Sequence, residues 1–230
     1  MSTSTAERRF TRGLVEVRKD GGQYRIGGYA AKFNKLSRNL GGFVERIDPA
    51  FFAKSEGDGW PEVMARYNHD DNMLLGTSDA GTLALAVDGV GLGYDVDLPA
   101  SRADVYELVQ RGDVRRSSFA FYTFESDWGL TDQDFPVRTL LSGQLVDVAP
   151  VNTPAYLDTS TGLRSLAEQA GAELAEVRAA AEAGELARFL KPPATVIDLH
   201  PHDERGQGDT HPPLALRQRH AELMRKGRTT

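Results

Sequence analysis

The sequence predicts an α+β fold, mainly β, ending in a helix and a tail, and three observations carry this. Residues 12–160 are rich in Gly, Val, Phe and Tyr, with apolar residues alternating along short runs between turn signals, the period-two signature of strands. After Pro154 the texture changes to Ala, Glu and Leu in TSTGLRSLAEQAGAELAEVRAAAEAGELARFL, a helical composition. Residues 191–230 carry Pro-Pro twice and four of the five histidines, which reads as a mobile tail. The chain therefore divides into a flexible N-terminus over 1–11, a domain over 12–160, an amphipathic helix over 161–190 and a tail over 191–230.

LVEVRKDGGQYRIGGYA reads as a hairpin turning at Gly21-Gly22, where two glycines supply the positive φ that a tight reversal needs. A short helix is expected from about Pro49 to Lys54, and a strand through Val63, Met64 and Ala65. TLALAVDGVGLGYDVDL reads as a second hairpin, reversing at Asp88-Gly89. A clearer helix runs from Arg102 to Gln110, with Ser101 as its cap, Asp104 three residues on and Gly112 as its stop. Ser118, Ala120, Tyr122 and Phe124 alternate with Phe119 and Phe121, so this strand is apolar on both faces and expected to be central. VRTLLSGQLVDVAPVN reads as a strand pair. In the following helix Leu163, Leu166, Ala170, Leu174, Val177 and Ala181 trace a narrow apolar seam at near-heptad spacing, which implies a partner or a core face. Gly171 and Gly184 inside it each cost about 1 kcal/mol relative to Ala, so it needs packing to be stable.

Composition narrows the function. The apolar runs are far shorter than the roughly 20 residues a membrane helix needs, and MSTSTAERRFTRG lacks the apolar stretch of a secretory signal. No membrane partner is expected. A net charge of −6 argues against a general nucleic-acid binder, which needs a basic face for phosphates. With no cysteine in 230 residues, disulfides, a thiol nucleophile and thiolate zinc sites are all excluded. His200 and His202 could share a strand face, but a Pro/Gly-rich polar segment lacks the rigid second shell of a metal site. No metal and no cofactor are expected.

His69 in RYNHDD is then the one imidazole within the domain, and a serine hydrolase needs such a base within hydrogen-bond reach of its nucleophile. Ser117 and Ser118 in RRSSFAF face opposite sides of a strand, so at most one of them is that nucleophile. There is no GxSxG elbow and no run of βαβ units, which sets aside the α/β-hydrolase arrangement.

Four strings, in order, resemble the phage prohead protease family, the capsid-maturation serine proteases related in fold to the herpesvirus assemblins. Gly28-Tyr29-Ala30-Ala31-Lys32-Phe33 followed by Glu45-Arg46-Ile47-Asp48-Pro49-Ala50-Phe51 is similar to the family's opening pattern. Asn68-His69-Asp70, with Gly76 beyond it, resembles its histidine box. Gly112 to Phe121 resembles its serine box, with Ser118-Phe119-Ala120-Phe121 standing for Ser-x-Gly-Phe. Leu145 to Ala155 resembles its last box, with Asp147 for Glu and Ala149 for Ser.

The resemblance implies a barrel-like antiparallel sheet flanked by helices. It implies Ser118 as nucleophile and His69 as base, and its last box makes Asp147 the candidate acid behind that base; Asp70 and Asp71, adjacent to His69 in sequence, and the more distant Asp127 are rivals, and Arg138, near the last box, is a candidate cation at the oxyanion. It further implies a serine endopeptidase acting on major capsid or scaffold proteins inside an immature shell in the host cytoplasm, self-association and self-cleavage, with the C-terminal helix as a docking element. The departures at Ala120, Asp147 and Ala149 leave a second reading open, a catalytically silent capsid-assembly factor with the same fold.

Overall fold

The computed structural model describes residues 6–20, 23–152 and 160–191. The chain separates into two units, 1–192 and 193–230; the histidines of the C-terminal tail lie outside the described residues.

Alternating apolar residues give nine strands: β1 (Glu7–Asp20), β2 (Gln23–Lys32), β3 (Val44–Ile47), β4 (Met64–Arg66), β5 (Leu74–Thr77), β6 (Leu83–Val87), β7 (Gly91–Asp97), β8 (Arg116–Leu130) and β9 (Pro136–Val151). They form one sheet in the order β5-β4-β9-β8-β1-β2-β7-β6, with β3 also on β9. Neighbours are antiparallel except that β3 and β4 both run parallel to β9, along different stretches of its edge. Helices α1 (Ala53–Gly57), α2 (Ala103–Arg111), α3 (Ser160–Ala170) and α4 (Leu174–Ala183) flank the sheet. The α+β, mainly β class is as expected.

The expected barrel is not closed. The end strands β5 and β6 are consecutive in sequence, and the turn between them brings Gly76 so close to Val96 and Thr82 that a Cβ there would stand 2.7 Å from the Val96 side chain. Among the described residues no ladder joins β5 to β6, so the sheet curls until its ends share a turn but keeps two edges.

Several boundaries moved for identifiable reasons. Residues 7–11 belong to β1 and pair with β8, because Glu7 and Arg9 find buried partners of opposite charge. The strand pair expected over 137–152 is one sixteen-residue strand, β9: Ser142-Gly143 reads as a turn in sequence, but the chain runs straight through. Its Gly143 N–H donates to the Phe51 carbonyl at 3.1 Å. Ser101 lies in a single 3-10 turn before α2, and no side chain caps that helix; Gly112, in the left-handed region, ends it as expected. The Pro49–Lys54 helix begins four residues later, as α1. The Gly21-Gly22 turn lies outside the described residues, though Asp20 and Gln23 pair on either side of it.

The single helix expected over 161–190 is two. Gly171, at φ +62°, breaks it, and α4 starts three residues on. Leu163, Leu166 and Val177 of the seam are buried, while Ala170 is exposed. These seam residues pack with Leu40, Phe43, Trp128 and Leu186 into a core of their own, so the apolar stripe is spent within the chain. The main core lies on the other side of the long strands, where Phe51 and Phe52 meet Phe121 and Phe119 in edge-on contacts 5.3–5.8 Å between centroids.

Candidate active site

The β8–β9 ladder supplies the frame. Ser118 lies opposite Ala149, and Ala120 opposite Asp147. Because side chains alternate, Ser118 and Ala120 share one face with Asp147 and Ala149, while Phe119 and Val148 turn to the main core. Ser118 and Asp147 are therefore diagonal neighbours, roughly 7–8 Å apart at the backbone, a gap that one imidazole can bridge. The small residues Ala120 and Ala149 complete the diagonal and leave that gap open.

His69 enters it from β4. Met64 pairs with Asp147 and Ala65 with Val148, so the end of β4 runs beside Asp147, and a short turn over Tyr67–His69 folds the imidazole back across the strands. That turn requires two consecutive non-glycine residues in the left-handed region, Asn68 at φ 55° and His69 at φ 58°. Such a pair is strained and persists only where the surroundings hold it. Asn is, after glycine, the residue that tolerates this conformation best, and Asn68 Oδ1 accepts the Asn152 N–H at 3.1 Å, tying the turn to the end of β9.

The result is an unbroken line. Asp147 Oδ1 lies 2.6 Å from His69 Nδ1, and His69 Nε2 lies 2.6 Å from Ser118 Oγ. With Asp147 as a carboxylate, Nδ1 carries the proton and donates it to Oδ1, which leaves Nε2 as an acceptor for the serine hydroxyl. Ser118 has a second acceptor in reach, the Arg9 carbonyl of β1 at 2.8 Å. One hydroxyl proton cannot serve both. All three side chains are buried, Ser118 completely.

The other residues considered from sequence fall elsewhere. Ser117 faces the opposite side and pairs with the Tyr94 hydroxyl at 3.1 Å; burial pushes the Tyr94 phenol up, so it stays protonated and un-ionised. Asp70 accepts the Asn72 N–H, Asp71 pairs with Arg66, and Asp127 is exposed beside Gln169. Arg138 does not reach the serine. It sits on β9 roughly 30 Å along the strand from Asp147 at the usual rise, buried in an ion cluster with Glu7 (2.8 Å) and Glu45 (3.2 Å). Among the described residues no group of three His, Asp or Glu side chains is arranged to hold a metal ion.

Sequence reasoning missed two neighbours of the site, the Arg9 carbonyl and Arg66, whose Nη1 lies 3.2 Å from Asp147 Oδ2. Nothing in sequence marks a backbone carbonyl, but Arg66 stands three residues before His69 on the same segment, which was a usable signal.

The sequence matches the family described as Caudovirus prohead serine protease over residues 14–172. This chain is a member of that prohead protease family. The matched region covers both β8 and β9 and runs on through α3, beyond the boundary at 160 expected from sequence. Among solved structures, the capsid assembly protease gp21 of bacteriophage T4 is similar, with a TM-score of 0.46 and 10% identity over 66% of this chain and 100% of that one. No curated protein matches.

Proposed function

We propose that this prohead protease family member is a serine endopeptidase with Ser118 as nucleophile, His69 as general base and Asp147 as the acid that orients it. The observation that carries the reading is the line of two 2.6 Å contacts from Asp147 through His69 to Ser118. In the acylation step Ser118 Oγ bonds to a peptide carbonyl carbon while its proton passes to His69 Nε2, and the carbonyl π pair moves to oxygen. When that pair returns, the C–N bond breaks and Nε2 gives its proton to the departing amine. Water then attacks the acyl-enzyme, again through His69, and frees Ser118. Asp147 keeps the imidazole in the required tautomer and stabilises the imidazolium.

A substrate carbonyl reaches Oγ only when the β1 backbone around Arg9 gives way, since that carbonyl now takes the serine's approach. The family and the sequence boxes support capsid or scaffold proteins as substrates, cut inside the immature shell. Co-expression with the cognate capsid protein tests this. The unchanged chain should shorten the capsid protein and a Ser118→Ala chain should not; equal processing by both would remove Ser118 as the nucleophile. The mass of the protease itself, read in the same samples, reports self-cleavage.

The complete burial of Ser118 and its bond to Arg9 favour one alternative, an assembly factor that keeps the fold without turnover. A fluorophosphonate probe separates the two: labelling of Ser118 in the assembled particle goes with the protease, and its absence there with the assembly factor.

A further inference from the structure

We infer that Arg66 is a positioning residue for the proposed reaction, holding the Asp147 carboxylate from behind so that its free oxygen addresses His69. The inference rests on the Ser118–His69–Asp147 reading above. Asp147 is 1% exposed, so water cannot serve its second oxygen, and a buried carboxylate needs both hydrogen bonds and a countercharge. Oδ1 is taken by the imidazole at 2.6 Å; Oδ2 is taken by Arg66 Nη1 at 3.2 Å.

The two contacts come from one short segment. Arg66 closes β4 with extended backbone, and His69 lies in the turn directly after it. Four residues of chain, Arg66 to His69, thus grip both oxygens of a carboxylate on another strand, and a carboxylate held at both ends cannot rotate about its Cβ–Cγ bond. The guanidinium is itself held. Its Nη2 lies 2.7 Å from Met64 Sδ, and its Nη1 also reaches Asp71 Oδ1 at 3.0 Å. Asp71 is 84% exposed and Arg66 only 16%, so the arginine spans from solvent to the buried acid.

Arg66 also sets the charge seen by the imidazole. The groups facing His69 are Asp147 from β9, Ser118 from β8 and Arg66 from β4, with Asp70 and Asp71 following in its own loop. Removing the cation leaves the carboxylate unopposed and favours imidazolium, the form that cannot accept the serine proton. The acid limb of the pH–rate profile should then move to higher pH.

The test is the second-order rate at which a fluorophosphonate labels Ser118 in the full chain, read by mass across pH 5 to 9, with melting temperatures taken in parallel. Arg66→Met, which keeps the stem and loses the charge, is expected to slow labelling by about tenfold or more, as when the partner behind a working imidazole is lost, and to move the acid limb up. Arg66→Lys keeps the charge and loses the fork; it should label at an intermediate rate with the limb in place. A folded Arg66→Met chain with the unchanged rate and limb overturns the inference while the nucleophile stands. If Arg66→Met does not fold, the lysine variant decides: a rate equal to the unchanged chain overturns it. Failure of the unchanged chain to label at Ser118 removes the catalytic reading, and this inference with it.

Discussion

Two buried charge networks sit on the same β8–β9 frame, one toward each end of β9. Near the start of β9, Glu7 and Arg9 of β1, Glu45 of β3 and Arg138 form a closed set of two carboxylates and two guanidiniums, with contacts of 2.7–3.2 Å. Near its end, Asp147, Arg66, His69 and Ser118 form an open chain. Both obey the rule that a buried charge must be paired. They differ in what they can do. In the first, Glu7 and Arg9 are held in their charged forms: burial alone would raise the Glu7 carboxyl, but Arg138 and Arg9 outweigh it and hold it below the usual range, while Glu45 and Glu7 outweigh the burial of Arg9 and hold it protonated. The second ends in an imidazole and a hydroxyl 2.6 Å apart. Saturated pairing suits a structural rivet; a line that ends on an imidazole and a hydroxyl suits the reactive site proposed above.

The sharpest way to break that contrast is to exchange the consequences of mutation. His69→Ala should cut Ser118 labelling by about 10³-fold or more with little loss of stability, since the members of a triad such as the one proposed act as a unit on the chemistry. Measuring labelling and urea unfolding on one preparation checks it, and a variant that unfolds easily yet labels normally would reverse the assignment. Glu7→Ala should do the opposite, costing about 3–5 kcal/mol of unfolding free energy because it leaves the buried Arg138 and Arg9 to share the single carboxylate of Glu45. The fraction that remains folded should label at the ordinary rate per folded molecule.

Smaller effects sharpen the comparison. Asn68→Ala loses the bond to Asn152 and a residue suited to φ 55°, and should cost about 1–2 kcal/mol while slowing labelling; Asn68→Gly should recover part of the stability, because glycine accepts that φ freely. Thermal melts of the two variants distinguish strain from the lost bond. The smallest effect is in pH. The depressed Glu7 carboxyl contributes stability that is present above its unfolded value, near 4.5, and is lost as pH falls through its lower folded value. Stability should therefore decline below about pH 4.5, and the stability difference between the unchanged chain and Glu7→Gln should narrow as pH falls through that window.

What could be read beforehand was short-range. The alternation around Phe119 and Phe121 located β8, and the boxes holding His69, Ser118 and Asp147 pointed to three residues that the fold brings together. What could not be read was decided by partners distant in the chain. Glu7-Arg8-Arg9 looks like a solvated terminus until Glu45 and Arg138, 36 and 131 residues away, neutralise it. Ser142-Gly143 looks like a turn until Phe51 bonds to its backbone. The seam through Leu163, Leu166 and Val177 looks like a docking face until Phe43 and Trp128 cover it.

By itself, then, the sequence narrowed the kinds of chemistry open to this chain and the residues that are candidates for it. The absence of cysteine excluded a thiol nucleophile, and one histidine within the strand-rich region left a single candidate base. Alternation and turn chemistry act between near neighbours, and that is enough to place a residue on a strand and on one of its faces. Only the tertiary structure decided that Asp147 rather than Asp70 or Asp71 stands behind His69, that Arg66 stands behind Asp147, and that the Arg9 carbonyl covers Ser118. Those contacts join β1, β4, β8 and β9 across 78 to 109 residues of chain, and hydrogen bonds over such separations exist only once the sheet has assembled.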